Sequence, residues 1–259
     1  MAKLEFLALS VKVRGRTLLD TLNLSIADSD FVALVGPNGA GKTTLLKCAL
    51  GLRRPTSGRV CLEKTPVGEL EARARAAQLA WLPQHIRAEE PLSALETVAA
   101  ARFRFRESHA ESRLAAERAL RRVRAFEYER RPVSELSGGE RQRVAFACLL
   151  AQEAGTLLFD EPANHLDPAQ QLEVYGLLGE LWREGRTIVC INHDVNLLNH
   201  LGEPERVRVV GLRAGRLAFE ARLSDRDLPT RLGALFGVEM DSVRGGGQRY
   251  ILPRARSES

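Results

Sequence analysis

The sequence predicts an α/β fold that carries an inserted helical subdomain. Short apolar segments typical of buried strands alternate along the chain with longer segments of helical periodicity. Residues 93–128 differ from the rest, because they contain no Gly or Pro, are rich in Ala, Glu and Arg, and have helical spacing. We therefore expect a helical subdomain over about residues 88–135. The chain of 259 residues is long enough to bury its own core.

Before the insertion, turn residues separate the predicted elements. A buried strand over residues 31–35 leads into a Gly-rich turn and then into a helix over residues 42–50. Gly51 ends that helix, and Pro55 prevents its continuation. A second strand over residues 59–62 follows a Pro-Thr-Ser-Gly turn.

After the insertion, predicted strands and helices alternate again, and the chain then ends in a strand pair, a short helix and a hairpin. The predicted elements are a helix from the Ser137-Gly138-Gly139 turn to about residue 152, a strand over 156–159, a helix over 168–183, a strand over 187–192, a strand pair over 207–212 and 216–219, a short helix over 228–236, and a hairpin over 238–243 and 248–252 around Gly245-Gly246-Gly247. We expect one main domain over residues 1–220 and a small C-terminal extension over residues 221–259.

Composition limits the kinds of protein that this chain can be. No uninterrupted apolar run approaches the roughly 20 residues that span a bilayer, and the N-terminus lacks the basic-then-apolar pattern of a signal peptide. We therefore expect a cytoplasmic protein, for which any role at a membrane requires a partner. The cysteines have no metal-ligand spacing and are expected to be reduced thiols in the core. They are Cys48, Cys61, Cys148 and Cys190.

The excess of positive charge is concentrated in residues 102–131, here called the arginine segment. The chain has a net charge of +5, and this segment alone contains ten Arg and five Glu. Such a segment could bind phosphates, acidic lipid headgroups or an acidic protein surface, or it could be a solvated helical face. No array of stacking aromatic residues accompanies it, so we favour the solvated face and expect no direct nucleic-acid binding.

The Gly-rich turn over residues 36–43, here called the phosphate loop, matches G-x-x-x-x-G-K-[ST] between a buried strand and a helix. Its glycines let backbone N–H groups approach phosphate oxygens, and the helix N-terminus contributes its dipole. Lys42 is expected on the β- and γ-phosphates, Thr43 on Mg²⁺, and Thr44 near the phosphates. An ordinary Gly-rich turn is the alternative, which this context disfavours. The predicted nucleotide-binding residues are Gly36, Pro37, Asn38, Gly39, Ala40, Gly41, Lys42, Thr43 and Thr44.

Two acidic residues follow the apolar strand predicted over residues 156–159. A carboxylate buried at a strand end is costly unless it holds a metal or moves a proton. Beside a phosphate loop, Asp160 fits the carboxylate that holds Mg²⁺, and Glu161 fits the general base that polarises the attacking water. A solvated strand end before a Pro162 turn is the alternative, and the phosphate loop makes it the weaker one.

A second motif narrows the class. Residues 136–143, here called the signature segment, read LSGGERQR and lie just upstream of the acidic strand. Together with the phosphate loop, this segment resembles the signature sequence of ATP-binding-cassette (ABC) ATPases, and the resemblance covers nearly the whole chain. It implies a P-loop NTPase (RecA-like) core with an antiparallel β subdomain and the inserted helical subdomain, so that residues 1–220 would form an ABC ATPase domain.

The signature segment also has the chemistry of a second anion site. The hydroxyl of Ser137 and the N–H groups of Gly138 and Gly139 lie at the start of a predicted helix. One nucleotide has one γ-phosphate, yet the chain carries two phosphate sites. The resemblance implies that the second site serves the nucleotide of a partner subunit, in a head-to-tail homodimer with two ATP molecules at its interface.

Three further site residues are assigned by resemblance. Gln84 resembles the glutamine that contacts Mg²⁺ and the water and senses the membrane partner. His193 resembles the switch histidine on the γ-phosphate, and Asp167 resembles the aspartate that communicates across the dimer. Their simpler alternatives are a surface Gln in a turn, a capping His, and a helix N-cap before Pro168.

One position departs from the family pattern. Family members stack the adenine on an aromatic residue at a position that falls near Val13 here, yet no Phe, Tyr or Trp lies between Phe6 and Phe31. Stacking contributes about 1–3 kcal/mol per base. We therefore expect either weaker nucleotide binding or a substitute contact.

The tail over residues 228–253 resembles that of importer ATPases for iron–siderophore, haem or cobalamin, and the helical insertion corresponds to the part that docks on membrane subunits. The resemblance implies an ATPase that converts ATP and water to ADP and phosphate and powers import of a metal chelate, with ATP and Mg²⁺ as cofactors. The implied partners are a second copy, integral membrane permease subunits and an extracytoplasmic substrate-binding protein. The chain would then be peripheral on the inner face of the cell membrane.

Two alternatives stay open at this point. One is a non-transport ABC ATPase that acts on nucleic acid or ribosomes, which only the arginine segment supports. The other is an ABC importer or exporter subunit for another substrate. The signature segment disfavours a third class, P-loop kinases.

Overall fold

A computed structural model, which describes residues 2–84, 91–164 and 166–254, confirms the predicted α/β fold. The strands are β1 (Ala2–Val13), β2 (Arg16–Ala27), β3 (Phe31–Val35), β4 (Ser57–Leu62), β5 (Thr65–Pro66), β6 (Leu79–Leu82), β7 (Thr156–Asp160), β8 (Thr187–Ile191), β9 (Arg208–Arg213), β10 (Arg216–Arg222), β11 (Met240–Gly245) and β12 (Gln248–Pro253). The α-helices are α1 (Lys42–Ala49), α2 (Ala72–Gln78), α3 (Ala94–Ala100), α4 (His109–Arg122), α5 (Gly138–Ala151), α6 (Pro168–Arg183) and α7 (Leu228–Phe236). Short 3-10 helices occupy Val67–Glu69, Phe126–Tyr128, Val133–Glu135 and Val195–Leu201.

The chain divides into two compact units, of which the first combines Met1–Glu69 with Asp167–Ser259. In this unit β3 lies between β9 and β8 and runs parallel to both, while β10 is antiparallel to β9 at the edge. Every residue of β3 and of β8 is buried, as expected for strands covered on both faces. A separate antiparallel sheet in the order β2-β1-β4-β5 is the predicted antiparallel subdomain.

The second unit, Leu70–Leu166, contains the helical insertion. It contains α2 to α5 and the parallel pair β6 and β7. The predicted helical stretch over residues 93–128 is divided into α3 and α4, each of which begins with a capping box, at Ser93 and Ser108. The start of the predicted insertion, residues 88–90, lies outside the described residues.

Arg102 explains why the helix is interrupted between α3 and α4. Its side chain is buried and donates hydrogen bonds to both carboxylate oxygens of Glu107, to Glu153 and to the backbone carbonyl of Ala151. A buried guanidinium must satisfy its donors in this way, and the turn brings Glu107 back to it.

The C-terminal elements comprise α7 and a hairpin formed by β11 and β12, here called the C-terminal hairpin. Its two-residue turn is Gly246-Gly247, and both glycines have positive φ. Gly245 belongs to β11, so this strand starts and ends two residues later than predicted, and β12 ends one residue later. The predicted boundary at residue 220 falls inside β10, and the division of the chain at that position stays a prediction.

Side-chain amides attach the C-terminal hairpin to the 3-10 helix Val195–Leu201. Asn196 donates from Nδ2 to the carbonyl of Ile251 over 3.0 Å and accepts from the N–H of Ile251 over 2.8 Å. Asn199 donates to the carbonyl of Arg249 over 2.9 Å. In these bonds, side chains of the 3-10 helix pair with backbone groups of β12, as the backbone of a neighbouring strand would.

The cysteines are free thiols, as predicted. Three of them are buried and Cys148 is half-buried, so the prediction of a core position holds less well for Cys148. Burial raises the pKa of the Cys48 thiol to about 11. No helix in the ranges 2–84, 91–164 and 166–254 combines the length and the apolar character needed to cross a membrane.

Candidate functional site

The phosphate loop lies between β3 and α1, where the sequence predicted it. Gly36 and Gly41 have φ values of 149° and 104°. A Cβ at Gly36 would lie 2.1 Å from the carbonyl oxygen of Leu212, and one at Gly41 would lie 2.6 Å from that of Leu18. Only glycine fits at these two positions, because backbone from β9 and from β2 approaches the loop so closely.

Lys42 begins helix α1 and is only 6% exposed. Its ammonium donates to the carbonyl oxygens of Gly36 over 2.6 Å and Pro37 over 3.2 Å. A buried cation held across a glycine-rich loop, at the positive end of a helix dipole, is suited to bind an anion. Thr43 and Thr44 follow in the first turn of the same helix, and both are half-buried.

His193 lies on the same edge of the first unit as the phosphate loop. Strand β8 pairs in parallel with β3, and the N–H of Asn192 donates to the carbonyl of Leu34 over 3.0 Å. The loop after β3 and the exposed His193 after β8 therefore both follow the carboxyl ends of adjacent strands, where ligands bind in open α/β sheets. Asp194, rather than His193, caps the following 3-10 helix by accepting from the N–H of Asn196.

Asp167 is exposed and is the N-cap of α6. Its Oδ1 accepts from the N–H of Gln170 over 2.9 Å, and Pro168 is the first residue of the helix. The simpler alternative, a helix N-cap, is confirmed. This structural role leaves the predicted role in a dimer open.

In the second unit, β7 ends at Asp160, which is 2% exposed. The next residue, Glu161, has φ of +56°. A left-handed conformation is uncommon for a residue with a Cβ and is typical of functional positions at which the fold maintains strain. The conformation directs the Glu161 side chain away from the path that a continued strand would give it.

Two amide side chains bind one carboxylate oxygen of Glu161. Gln84 donates from Nε2 to Oε2 over 2.6 Å, and Asn164 donates from Nδ2 to the same atom over 3.0 Å. The structure thus brings together Gln84 and Glu161, two of the predicted site residues. Asn164 was not assigned from the sequence, although its spacing of three residues from Glu161 could have suggested it.

Helix α5 also forms a hydrogen bond to the segment that follows β7. Gln142 donates from Nε2 to the carbonyl of Pro162 over 2.8 Å, so the signature segment is bonded to the residue after Glu161. Sequence reasoning also missed this role of Gln142. It could not be inferred from the pattern because it depends on how α5 packs.

The signature segment forms the N-terminus of α5. Ser137 is the N-cap: its Oγ accepts from the N–H of Glu140 over 3.4 Å, and Glu140 accepts from the N–H of Ser137 over 2.7 Å. The backbone N–H of Ser137 thereby lowers the pKa of Glu140. Ser137 and Gly138 are exposed, and a Cβ at Gly138 would meet no atom within 4 Å. The start of this helix is therefore open to an approaching anion.

Residues 19–164 match the ABC transporter family, which is more than half of the chain. Together with the phosphate loop and the signature segment, this match identifies the class: the chain belongs to the ABC transporter family of ATP-binding proteins. It is an ATPase coupled to transport.

Several proteins similar to this chain are ATP-binding proteins of import systems. The chain is 35% identical to the hemin import ATP-binding protein HmuV of Rhodopseudomonas palustris (strain HaA2), over 92% of both chains. It is 35% identical to the iron(3+)-hydroxamate import ATP-binding protein FhuC of Bacillus subtilis, over 91% of this chain and 88% of the relative.

Solved structures agree with this family. MJ0796, a bacterial ABC transporter cassette solved as a dimer, superposes with a TM-score of 0.78 and 28% identity, over 86% of this chain and 99% of its own. An inward-facing metal-chelate type ABC transporter superposes with a TM-score of 0.82 over 99% of both chains; at 23% identity it supports the fold alone.

Proposed function

We propose that this chain is the ATP-hydrolysing subunit that powers import of a metal chelate, in the class of iron–siderophore, haem or cobalamin. The observation that carries this proposal is the match to haem and iron-hydroxamate import ATPases over about nine-tenths of their lengths. The alignment with the hemin import ATP-binding protein covers 92% of this chain, whereas the general family match covers residues 19–164, so the similarity extends beyond the general ATPase motifs.

The phosphate loop would hold the triphosphate of ATP. Backbone N–H groups of residues 39–43 would bind phosphate oxygens, and Lys42 would exchange its bonds to the loop carbonyls for bonds to the β- and γ-phosphates. His193 would donate a hydrogen bond to the γ-phosphate from the adjacent strand end.

The oxygen donors of Thr43, Asp160 and Gln84 fit a magnesium ion, which prefers hydroxyl, carboxylate and amide oxygens. When bound, the ion would neutralise charge that develops on the phosphates. Asp160 is 2% exposed at the carboxyl end of β7, and its carboxylate would be one of the ligands.

Glu161 would accept the proton of the attacking water. Gln84 and Asn164 orient its carboxylate by donating to Oε2. Gln84 itself would contact the water or the magnesium ion. Because Gln84 is bonded to Glu161, a displacement of Gln84 would also displace the general base.

The working unit would be a homodimer. The exposed N-terminus of α5, formed by Ser137, Gly138 and Gly139, would bind the γ-phosphate held by the partner copy, and Asp167 would lie near that interface. The dimeric state of the MJ0796 cassette supports this arrangement.

Transport would require membrane permease subunits and an extracytoplasmic substrate-binding protein. The helical insertion would dock on the permease, and the chain would be peripheral on the inner face of the cell membrane. Two large apolar side chains of the insertion, Phe103 and Leu114, are each 56% exposed, which supports a docking role.

The test is transport into vesicles. The chain is purified with the permease that co-purifies with it, reconstituted in proteoliposomes, and given a haem or ferric hydroxamate with its capture protein. ATP-dependent accumulation of the chelate that is lost in Glu161→Gln is the expected result. ATPase activity stimulated by nucleic acid or ribosomes, with no accumulation of any chelate, would favour the non-transport alternative.

A further inference from the structure

Arg16 lies at the rim of the phosphate loop. Its Nη2 is 3.8 Å from the position that a Cβ of Gly39 would occupy. The side chain is exposed, and within the described ranges it forms no ion pair with a carboxylate. The neighbouring acid Asp20 is instead paired with Arg216, over 2.6 Å.

The start of β2 is held against the loop by backbone packing, so the position of Arg16 is fixed by the fold. The carbonyl oxygen of Leu18 lies against Gly41, close enough to exclude a side chain there. Arg16 is two residues earlier on the same strand, at the tip of the β1–β2 hairpin. Its guanidinium therefore has a rigid base next to the predicted nucleotide site.

Arg16 also shares a strand face with Val13. The two residues are direct partners in the antiparallel ladder, and directly opposed residues project their side chains on the same face. The position at which the sequence lacks the expected aromatic residue falls near Val13. A guanidinium is planar and cationic, and it stacks on aromatic rings as well as pairing with anions.

We propose that Arg16 binds the nucleobase of the nucleotide by stacking its guanidinium on the purine face, in place of an aromatic side chain. This inference rests on the proposed nucleotide binding by the phosphate loop. The terminal phosphates have their own predicted ligands at Lys42 and in the first turn of α1. Arg16 lies next to Gly39, three positions before Lys42, and on the same strand face as Val13.

The experiment compares two ligands that share phosphates and differ in the base. Binding of ATP and of inorganic tripolyphosphate is measured by calorimetry on the full chain, for the wild type, Arg16→Ala and Arg16→Lys. Arg16→Ala is expected to weaken ATP binding about 10-fold, the size of one stacking contact, and to leave tripolyphosphate binding unchanged. Arg16→Lys keeps the charge but loses the plane, and is expected to restore little of the loss.

Two further variants sharpen the result. Arg14→Ala removes an equal charge from the same hairpin turn and should change neither affinity. Adding Val13→Tyr to Arg16→Ala supplies an aromatic ring on the same face and should recover ATP affinity while tripolyphosphate binding stays constant.

Equal losses for ATP and tripolyphosphate in Arg16→Ala, with full rescue by Arg16→Lys, would overturn the proposal in favour of a phosphate contact. No loss for either ligand would also overturn it, while leaving the proposed function intact. Failure of the wild type to bind ATP would reject both.

Discussion

The Nε2 of Gln84 and the Oε2 of Glu161 are joined by a hydrogen bond of 2.6 Å, and Asn164 donates to the same oxygen over 3.0 Å. The predicted general base is thus oriented by two amide side chains from different parts of the chain. Its backbone is also in a left-handed conformation. The surrounding structure therefore constrains both the position of the Glu161 carboxylate and the conformation of its backbone.

Glu161→Gln is expected to bind ATP normally and to lose hydrolysis by at least about 100-fold, because an amide cannot accept the proton of the water. Steady-state phosphate release measures turnover, and gel filtration with ATP should reveal an accumulated dimer. Glu173→Gln, on the exposed surface of α6, is the matched control. Turnover unchanged in Glu161→Gln would refute the assignment of the base.

Asn164→Leu is expected to lower kcat by about 10- to 100-fold with little change in KM, because a hydrogen bond to a charged group contributes about 1.5–3 kcal/mol. Asn164 is a positioning residue, so the loss should fall on turnover and not on ATP affinity. Asn164→Asp places a second carboxylate beside Glu161 and should impair turnover further. An effect confined to KM would contradict this role.

Lys42→Ala is expected to abolish detectable ATP binding, because the loop loses the cation that bridges its carbonyls and would contact the phosphates. ATP titration by calorimetry measures the effect. Lys47→Ala removes a lysine from the last turn of the same helix and should leave binding intact. If Lys47→Ala were equally defective, helix destabilisation rather than ligand contact would explain the loss.

Complementation between two inactive variants tests the homodimer. Lys42→Ala destroys one nucleotide site through its own loop, and Gly138→Asp repels phosphate at the signature segment, where a side chain meets open space. A mixed dimer retains one site with an intact loop and an intact signature segment. The mixture should therefore regain ATPase activity that neither variant has alone. Activity that stays at the sum of the separate variants would exclude a shared site.

The stability of the second unit should depend on pH through Glu107. Hydrogen bonds from Arg102 and Ser112 lower the pKa of this carboxyl from 4.5 to about 2. Because the folded-state pKa is below the unfolded one, the ionised group stabilises the fold above about pH 4.5, and this contribution is lost as the pH falls towards 2.

Denaturant unfolding of the wild type and of Glu107→Gln, followed from neutral pH downwards, measures this contribution. At neutral pH we expect Glu107→Gln to unfold at a lower denaturant midpoint than the wild type. This difference should disappear as the pH falls from about 4.5 towards 2. Glu117→Gln removes a carboxylate that forms a surface ion pair with Arg113 and should show no comparable closure. A difference that is constant with pH would contradict the assignment to Glu107.

The parts of the fold that could be predicted from the sequence depend on local pattern. Strand β3, the phosphate loop and α1 follow from a buried apolar run, a glycine pattern and a helical period that lie next to one another. The N-cap of α6 was equally visible, because Asp167 and Pro168 are adjacent. These features need no knowledge of what packs against them.

The features that could not be predicted depend on contacts between distant residues. Gln142 and the carbonyl of Pro162 are 20 positions apart, and the positive φ of Glu161 has no local signal such as glycine. The break between α3 and α4 follows from the burial of Arg102, which looked like one of many solvated arginines. Burial, rather than composition, separates this arginine from the others in its segment.

The double hydrogen bond between Asn196 and Ile251 has a practical consequence for anyone who handles this chain. The anchor is three positions beyond His193, so the last strand braces the stretch that would sense the terminal phosphate. An affinity tag fused directly behind β12, or a deletion of that strand, is therefore expected to loosen the segment after β8 that carries His193 and Asn196, the latter 55 positions before its bonded partner Ile251 in β12. Purification handles are better placed before β1.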